Sequence, residues 1–367
     1  MKDYNEDSRV VLTLDAGGTN FVFSAIKGNE VIFGPVSIPS EAHDLRLCLN
    51  NIVKGFRNIR KNIAEKPVAI SFAFPGPADY PRGIIGKLPN LPAFSEGGVP
   101  LGSILEKEFN LPVFINNDGN LFAYGEAISG FLPYLNKMLA DGGSPKRFNN
   151  LIGVTLGTGF GGGLVVNKEL VIGDNSNAGE VWLLRNKLFM NANTEDSIST
   201  PALRNKYAAY AEVEEMLTPK EIYEVAIRKR NGNRDAAIRV FAELAIALGD
   251  ALANVTTLID GPVVLGGGIA SASMLFLDTV VGEMNSTFVN HDHREFNRLA
   301  CQVFNLEKKD ELARFIKGEK RTINFEGIQS LEYDPLARIG IGTSRLGASR
   351  AIALGAYAIA LKTLDNQ

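Results

Sequence analysis

The chain has 367 residues, of which 45% are hydrophobic and 22% charged, an ordinary globular mixture that excludes collagen, coiled coil and wholesale disorder. Its formal net charge of −3 favours neither nucleic acid nor an anionic membrane as a partner. With two cysteines, a polar N-terminus and no apolar run long enough to cross a bilayer, we expect a reduced, cytoplasmic protein without a disulfide framework.

The N-terminal segment predicts two strands joined by a glycine turn. An apolar run over residues 10–14 stops at Asp15, the turn Ala16-Gly17-Gly18-Thr19-Asn20 follows, and residues 21–26 are again strand-like. A third strand is expected over 31–33, and apolar residues at helical spacing predict a helix over 43–64.

Strands and helices continue to alternate towards the middle of the chain. The predicted elements are strands at 68–74 and 112–115, helices at 101–109 and 120–127, irregular loops over 79–100 and a polar linker over 141–150. A strand over 151–156, the turn Gly157-Thr158-Gly159-Phe160-Gly161-Gly162-Gly163 and a strand over 164–166 then repeat the pattern of the N-terminal segment. We interpret this as an internal duplication in which each half carries one glycine hairpin.

The rest of the chain completes an α/β pattern. Thr218-Pro219-Lys220-Glu221 has the composition of a capped helix start. Further on, we expect a helix over 235–258, a strand over 262–265 before Gly266-Gly267-Gly268 and a further helix, a hairpin or loop insertion over 320–347, and a final helix over 348–364.

Each glycine turn, taken alone, is explained by a tight turn, but three features favour nucleotide binding. Thr19 and Thr158 each place a hydroxyl beside glycines whose backbone N–H groups can approach a phosphate. Asp15 ends a strand, where a carboxylate can hold a magnesium-bound water. The run 266–268 lies between a strand and a helix, where adenine or ribose can lie against bare backbone. Neither a Walker P-loop nor a convincing dinucleotide motif is present.

Asp118 is the best candidate for a catalytic residue. It ends a strand beside Asn117, where a carboxylate faces the crevice at the carboxyl ends of strands. It could accept a proton from a hydroxyl that attacks phosphorus. The alternative is that Asp118 merely caps the helix that follows.

Other residues leave alternatives open. Pro75-Gly76-Pro77 is either a rigid turn or a segment whose backbone N–H groups meet a sugar hydroxyl. Trp182 either stacks on a sugar face or packs in the interior. We expect the three histidines, His43, His291 and His293, to be surface or core residues. His291-Asp292-His293 could suggest a metal site, but no third ligand has suitable spacing.

Short motifs follow one another in a definite order over about residues 10–361. They are Asp15-Ala16-Gly17-Gly18-Thr19-Asn20, Phe74-Pro75-Gly76-Pro77, Pro89-Asn90-Leu91-Pro92, Asn117-Asp118-Gly119-Asn120 with Glu126, the 157–163 turn, Ala178-Gly179-Glu180, and Val263-Val264-Leu265-Gly266-Gly267-Gly268. In this order they resemble the motifs of the ROK family (repressor, open reading frame, kinase) of the actin-like ATPase superfamily.

The resemblance implies an α/β protein of two ribonuclease H-like lobes with a central cleft. The first lobe would comprise residues 1–125 joined by the final helix, 348–364. The second would comprise residues 126–347, with an insertion near 307–344. We also expect a homodimer or a higher homo-oligomer and, from the charge balance, no nucleic acid and no membrane as partner.

By the same resemblance, the protein would transfer the γ-phosphoryl group of ATP to a hydroxyl of a hexose or N-acylhexosamine, with Asp118 as the base. The implied sugar-binding residues are Gly76, Asn90, Asn117, Glu180 and Glu195. The implied residues for ATP and Mg²⁺ are Asp15 (Mg²⁺ through water), Gly17, Gly18, Thr19, Asn20, Thr158 and Gly159, with Gly267 and Gly268 near the adenosine.

The chain departs from the family pattern in one region. Where the family has Glu-x-Gly-His, this chain has Glu180-Val181-Trp182-Leu183, and residues 188–194 contain no cysteine. We therefore expect no structural zinc, and the hexose preference stays open.

Three rival functions follow from these features. One is a non-catalytic, sugar-binding or regulatory ROK protein without a DNA-binding domain, which Leu183 favours. A DNA-binding repressor is disfavoured because only fourteen residues precede Asp15. An actin-like ATPase or chaperone agrees less well with the Pro-Gly and Asn-Asp motifs.

Overall fold

The computed structural model describes residues 4–17, 19–88 and 91–366. They form two compact units. The first unit comprises Met1–Gly130, Leu170–Ala178 and Ala348–Gln367, and the second comprises Phe131–Glu169 and Gly179–Gly347. The first boundary lies at Gly130 rather than at residue 125 because the helix that starts at Asp118 continues to Ile128. Residues 170–178, expected in the second lobe, belong to the first unit.

The first unit is built on a five-stranded sheet. Its elements are β1 (Val10–Ala16), β2 (Asn20–Lys27), β3 (Glu30–Pro39), α1 (Leu45–Asn62), β4 (Pro67–Ala73), β5 (Ala78–Asp79), β6 (Ile84–Ile85), α2 (Leu101–Phe109), β7 (Val113–Asn116) and α3 (Asp118–Ile128). The strand order is β3-β2-β1-β4-β7. The β1–β2 pair is antiparallel, whereas β1–β4 and β4–β7 are parallel, which is the ribonuclease H-like arrangement.

Helix α1 covers the sheet with one apolar face. Ile52 and Phe56 of that face are fully buried, and the Phe56 ring meets Phe23 of β2 edge-on at 5.1 Å between ring centroids. A side chain on Gly55 would place its Cβ 2.2 Å from the Phe23 ring. Glycine at that position therefore lets the helix lie close to the sheet.

The second unit repeats this plan. Its elements are α4 (Phe131–Asp141), β8 (Leu151–Leu156), β9 (Phe160–Val166), the first residue of β10 (Glu169–Val171), α5 (Glu195–Ile198), α6 (Thr200–Ala211), α7 (Pro219–Ala226), α8 (Arg234–Ile259), β11 (Val263–Gly266), α9 (Leu277–Met284), β12 (Thr287–Val289), β13 (Glu295–Asn297), β14 (Gln302–Asn305), α10 (Lys309–Lys317), β15 (Arg321–Phe325), β16 (Ile328–Tyr333) and β17 (Arg338–Thr343). Across its sheet the order runs β9-β8-β11-β17-β14. An antiparallel β8–β9 pair is followed by parallel pairs, as β1–β2 is in the first unit, so the expected duplication is present.

Only part of the segment near 307–344, which we expect to be an insertion, is an insertion. Strands β15 and β16 form a separate hairpin, but β17 is a buried strand between β11 and β14. Sequence periodicity missed β17 because it contains a charged residue, Arg338, and two glycines. A Cβ on Gly340 would lie 2.3 Å from the Leu306 side chain, so packing requires glycine there. Helix α4 was also not anticipated.

The chain ends with α11 (Ala348–Asp365), which packs against α3 and β4 in the first unit. A Cβ on Gly355 of α11 would lie 2.0 Å from the backbone oxygen of Leu121 in α3. The two helix backbones therefore touch at this glycine. Over the described part of the chain, α11 and the other helices lack the combination of length and apolar content that a membrane span needs.

A buried ion pair lies at the base of the β15–β16 hairpin. Arg338 and Asp334 have side chains that are 0% and 3% exposed, and an Arg338 nitrogen lies 2.5 Å from the Asp334 carboxylate. Burial alone would raise the pKa of Asp334, but bonds from the Glu319 N–H, the Arg338 guanidinium and the Leu336 N–H outweigh it and lower the pKa. Arg338 also donates to the backbone oxygen of Phe315 at 2.7 Å.

We predict that Asp334→Asn destabilises the second unit by about 3 kcal/mol at pH 7, because it leaves the Arg338 charge buried and unpaired. Since the pKa of Asp334 is lowered, its contribution is present above the ordinary value of 3.8 and is lost as the pH falls through the lower native value. Thermal unfolding from pH 7 to pH 3 should therefore show the two proteins converging in acid. The exposed Asp310→Asn is the control, and an Asp334→Asn protein as stable as wild type at pH 7 would refute the role of the ion pair.

Candidate active site

Asp118 is the first residue of α3 and follows β7 directly. Asn117, not Asp118, is the helix cap: its side-chain oxygen accepts the Gly119 N–H at 2.8 Å. The Asp118 Oδ1 accepts the same N–H at 2.9 Å. Buried Asn116 supports the turn, since its side-chain oxygen accepts from the Asn117 N–H at 2.8 Å and from the Asn120 amide at 3.1 Å. The catalytic candidate therefore lies on a firmly held turn.

The electrostatics of Asp118 distinguish it from a surface carboxylate. Although it is accessible to solvent, desolvation by the surrounding protein raises its pKa. The N–H groups of Gly119 and of Asp118 itself oppose this rise, and the negative charge of Asp15 adds to it. Desolvation also raises the pKa of Asp15, at the end of β1. Because β1, β4 and β7 are parallel, both carboxylates lie at the same edge of the sheet.

The first glycine turn joins β1 and β2 at this edge. The Gly17 N–H donates to the Asn20 oxygen at 3.1 Å, and a Cβ on Gly17 would lie 2.8 Å from that oxygen. The turn itself therefore requires glycine at this position. Thr19 and Asn20 are exposed beside it, whereas predicted Gly18 lies outside the described residues.

Two other predicted sugar ligands belong to the loops after β4. A Cβ on Gly76 would lie 2.9 Å from the Tyr80 hydroxyl, which donates to the Phe74 oxygen at 3.0 Å. Packing therefore accounts for glycine at position 76, and its contact with sugar stays a prediction. Asn90 lies outside the residues that the structure describes.

In the second unit, the glycine turn between β8 and β9 is braced by the segment at the start of α5 and α6. The Glu195 Oε2 accepts the Phe160 N–H at 2.7 Å, and a Cβ on Gly159 would lie 2.7 Å from the same oxygen. The Thr200 N–H donates to the Gly157 oxygen at 2.8 Å. Glu195, a predicted sugar ligand, therefore contacts the glycine turn that is predicted to bind phosphate. Thr158 is exposed at the tip of this turn.

Glu180 is paired with the one tryptophan of the chain. The Trp182 indole N–H donates to the Glu180 carboxylate. Trp182 therefore orients a predicted sugar ligand, a role that the sequence did not reveal. Leu183, where the family has histidine, is 59% exposed.

Gly267 and Gly268, which follow β11, are glycine for different reasons. Gly267 has φ +86, and a Cβ on it would lie 2.3 Å from the Leu156 oxygen, so the fold requires glycine. A Cβ on Gly268, or on Gly157, would meet no other described protein atom within 4 Å. These two positions are open backbone faces, as close approach of a nucleotide needs.

The carboxylates of the candidate site suit Mg²⁺ only when a bound ligand supplies part of the coordination of the ion. Within the described ranges, no group of three or more His, Cys, Asp or Glu side chains could hold a metal. The like charges of Asp15 and Asp118 nevertheless disfavour one another, and a nearby cation would relieve this. They fit Mg²⁺ bound through phosphate oxygens and water. The lack of structural zinc stays a prediction.

Comparison with known protein families identifies one that matches most of the chain. The family model described as the ROK family matches residues 11–305. The chain belongs to the ROK family.

Individual proteins are similar to this chain over about three quarters to nearly the whole of its length. The crystal structure of a glucokinase from Parabacteroides distasonis ATCC 8503 is 50% identical, covers 98% of this chain and 99% of its own, and superposes with a TM-score of 0.89. A glucokinase of Streptomyces coelicolor is 25% identical over 293 residues, 74% of this chain and 86% of that protein. A ROK glucokinase of Streptomyces griseus, solved with glucose and AMPPNP, shares the fold at 19% identity, covering 95% and 98% of the two chains with a TM-score of 0.61.

The two glycines after β11 provide a matched test of the nucleotide site. We predict that Gly268→Ala raises the KM for ATP about tenfold at unchanged Tm, because its methyl group occupies the open face. Gly267→Ala should instead lower the stability by about 3 kcal/mol, because of its positive φ and the nearby Leu156 oxygen. Kinetics and thermal unfolding of both variants check this. An unchanged ATP KM in Gly268→Ala would remove Gly268 from the nucleotide site.

Proposed function

We propose that this protein, a sugar kinase of the ROK family, transfers the γ-phosphoryl group of ATP to a hydroxyl of glucose. The observation that carries the chemistry is the Asp118 carboxylate, held at the end of β7 with a raised pKa. The choice of glucose rests on the glucokinase that is 50% identical over nearly the whole of both chains.

Asp118 supplies the general base. A sugar hydroxyl has a pKa far above 7 and attacks phosphorus poorly while it keeps its proton. The Asp118 Oδ1 is engaged by the Gly119 N–H, so Oδ2 accepts the proton as the sugar oxygen bonds to the γ-phosphorus and the bond to ADP breaks. Its raised pKa makes the carboxylate a stronger base than an ordinary aspartate.

Asn117, Glu180 and Glu195 hold the sugar. The Trp182 indole fixes the orientation of Glu180. The Phe160 N–H engages Oε2 of Glu195, which leaves Oε1 to accept from a sugar hydroxyl. Carboxylates held in this way suit a ligand rich in hydroxyl donors.

The two glycine turns hold the phosphates, with the hydroxyls of Thr19 and Thr158 as further donors. Gly267 and Gly268 lie beside the adenosine. Asp15 would hold Mg²⁺ through water, and the ion would neutralise charge on the phosphates.

We predict that Asp118→Asn lowers kcat with glucose about 100-fold or more, because the amide keeps the shape of the side chain but cannot accept the proton. A coupled assay of ADP release measures the rate. Fluorescence of Trp182, which contacts Glu180, reports glucose binding independently. The Kd for glucose should stay within about threefold of wild type, and near-normal turnover would exclude Asp118 as the base.

The same variant should be more stable than wild type at neutral pH. Because the pKa of Asp118 is raised, its stabilising contribution is present below the ordinary value of 3.8 and is lost as the pH rises through the native value. Asp118→Asn should therefore have a higher Tm than wild type at pH 7, a gain that disappears near pH 4. The exposed Asp174→Asn should leave the Tm unchanged, and a lower Tm for Asp118→Asn at pH 7 would contradict the desolvation argument.

Sugar binding without catalysis is the second candidate function, favoured by the exposed leucine at position 183. Glucose, mannose, N-acetylglucosamine and N-acetylmannosamine should each be tested for turnover and for a change in Trp182 fluorescence. A fluorescence response without ADP release from any sugar would favour this second function.

A further inference from the structure

The segment 184–194, referred to below as the 184–194 loop, is closed around one buried asparagine. Asn186 is 0% exposed. Its side-chain amide donates to the Asn193 oxygen at 2.9 Å and to the Ser197 hydroxyl at 2.8 Å. Its side-chain oxygen accepts the N–H groups of Leu188 at 3.0 Å and Phe189 at 3.3 Å. One side chain thus ties both ends of the loop and the helix that follows.

The closed loop ends directly at Glu195. Buried Thr194 anchors this end, because its N–H and its hydroxyl both donate to the Leu184 oxygen, at 2.8 and 2.7 Å. On the far side, the Lys206 ammonium donates to the Ser197 hydroxyl at 3.0 Å. The position of Glu195 is therefore set from both sides, and its carboxylate meets the Phe160 N–H at 2.7 Å.

We infer that Asn186 is a positioning residue for the sugar site: by closing the 184–194 loop, it holds Glu195 where one carboxylate oxygen braces the β8–β9 glycine turn and the other receives the sugar. This inference rests on the proposed role of Glu195 in binding sugar. Asn186 itself touches neither sugar nor nucleotide. Asn186 acts on sugar binding through the position of Glu195. The same position also affects the β8–β9 glycine turn.

The central test is a double-mutant cycle on glucose binding. Asn186→Ala should raise the glucose Kd, followed by Trp182 fluorescence, about tenfold or more, since a shift of about 1 Å in a binding group is costly. In the Glu195→Ala background, the same change should have almost no further effect, because the residue through which it acts is gone. If the double variant shows the product of the two single changes in the glucose Kd, the inference is wrong.

A matched control separates positioning from general destabilisation. Asn305 is also buried, and its amide donates to Asp278 at 2.8 Å while its oxygen accepts the Glu307 N–H at 3.0 Å. Asn305→Ala should lower the Tm much as Asn186→Ala does, yet leave the glucose Kd unchanged. If both variants weaken glucose binding equally, Asn186 has no specific role.

A milder variant covers the case in which Asn186→Ala does not fold. Ser197→Ala removes the acceptor of one Asn186 bond and leaves the bond to Asn193 in place. It should raise the glucose Kd about threefold, in line with the loss of one hydrogen bond, and again have no effect once Glu195 is alanine. An unchanged Kd in Ser197→Ala would count against the inference.

A readout without sugar distinguishes failure of this inference from failure of the proposed function. Hydrogen exchange at the Phe160 amide should quicken in Asn186→Ala, but not in Asn305→Ala, because the acceptor on Glu195 has moved. Absence of any glucose response in wild type would refute the proposed function alone. Unchanged exchange at Phe160 in folded Asn186→Ala would refute the positioning role whatever the substrate is.

Discussion

The backbone-to-backbone crossing of α3 and α11 is the contact on which the candidate catalytic part of the first unit depends. A Cβ on Gly125 would lie 1.9 Å from the Ala351 oxygen, so only glycine allows this approach. Asp118 is the first residue of α3, and the crossing therefore fixes the helix that carries it. A chain segment from the far C-terminus thus determines where a carboxylate in the first third of the sequence lies.

Glycine has two distinct uses around the candidate site. At Gly17 and Gly267, a side chain would collide with neighbouring backbone atoms, so the fold alone explains the residue. At Gly157 and Gly268, it would meet no described atom within 4 Å, so the fold alone does not. In the proposed function, close approach of a phosphate or an adenosine is the reason for glycine at these two positions.

Desolvation links function to stability at Asp118. The surrounding protein raises the pKa of this carboxyl, and the charge of Asp15 adds to the effect. The carboxylate therefore binds a proton more tightly, at a cost in folding free energy, as is common for groups with the proton-accepting role proposed for Asp118. In the second unit, by contrast, the predicted sugar carboxylates are engaged by donors, the Trp182 indole on Glu180 and the Phe160 N–H on Glu195.

The sequence by itself determined the features that depend on residues close to one another along the chain. Periodicity and turn chemistry predicted the α/β class, the repeated strand-turn-strand hairpins and the placement of Asn117 and Asp118 at a strand end. Only the tertiary structure decided that β17 is a core strand, because its Arg338 charge is neutralised at the root of the β15–β16 hairpin. It also decided that Glu195 meets Phe160, thirty-five residues away. Such contacts join segments far apart in the chain, and no local pattern encodes the folding that brings them together.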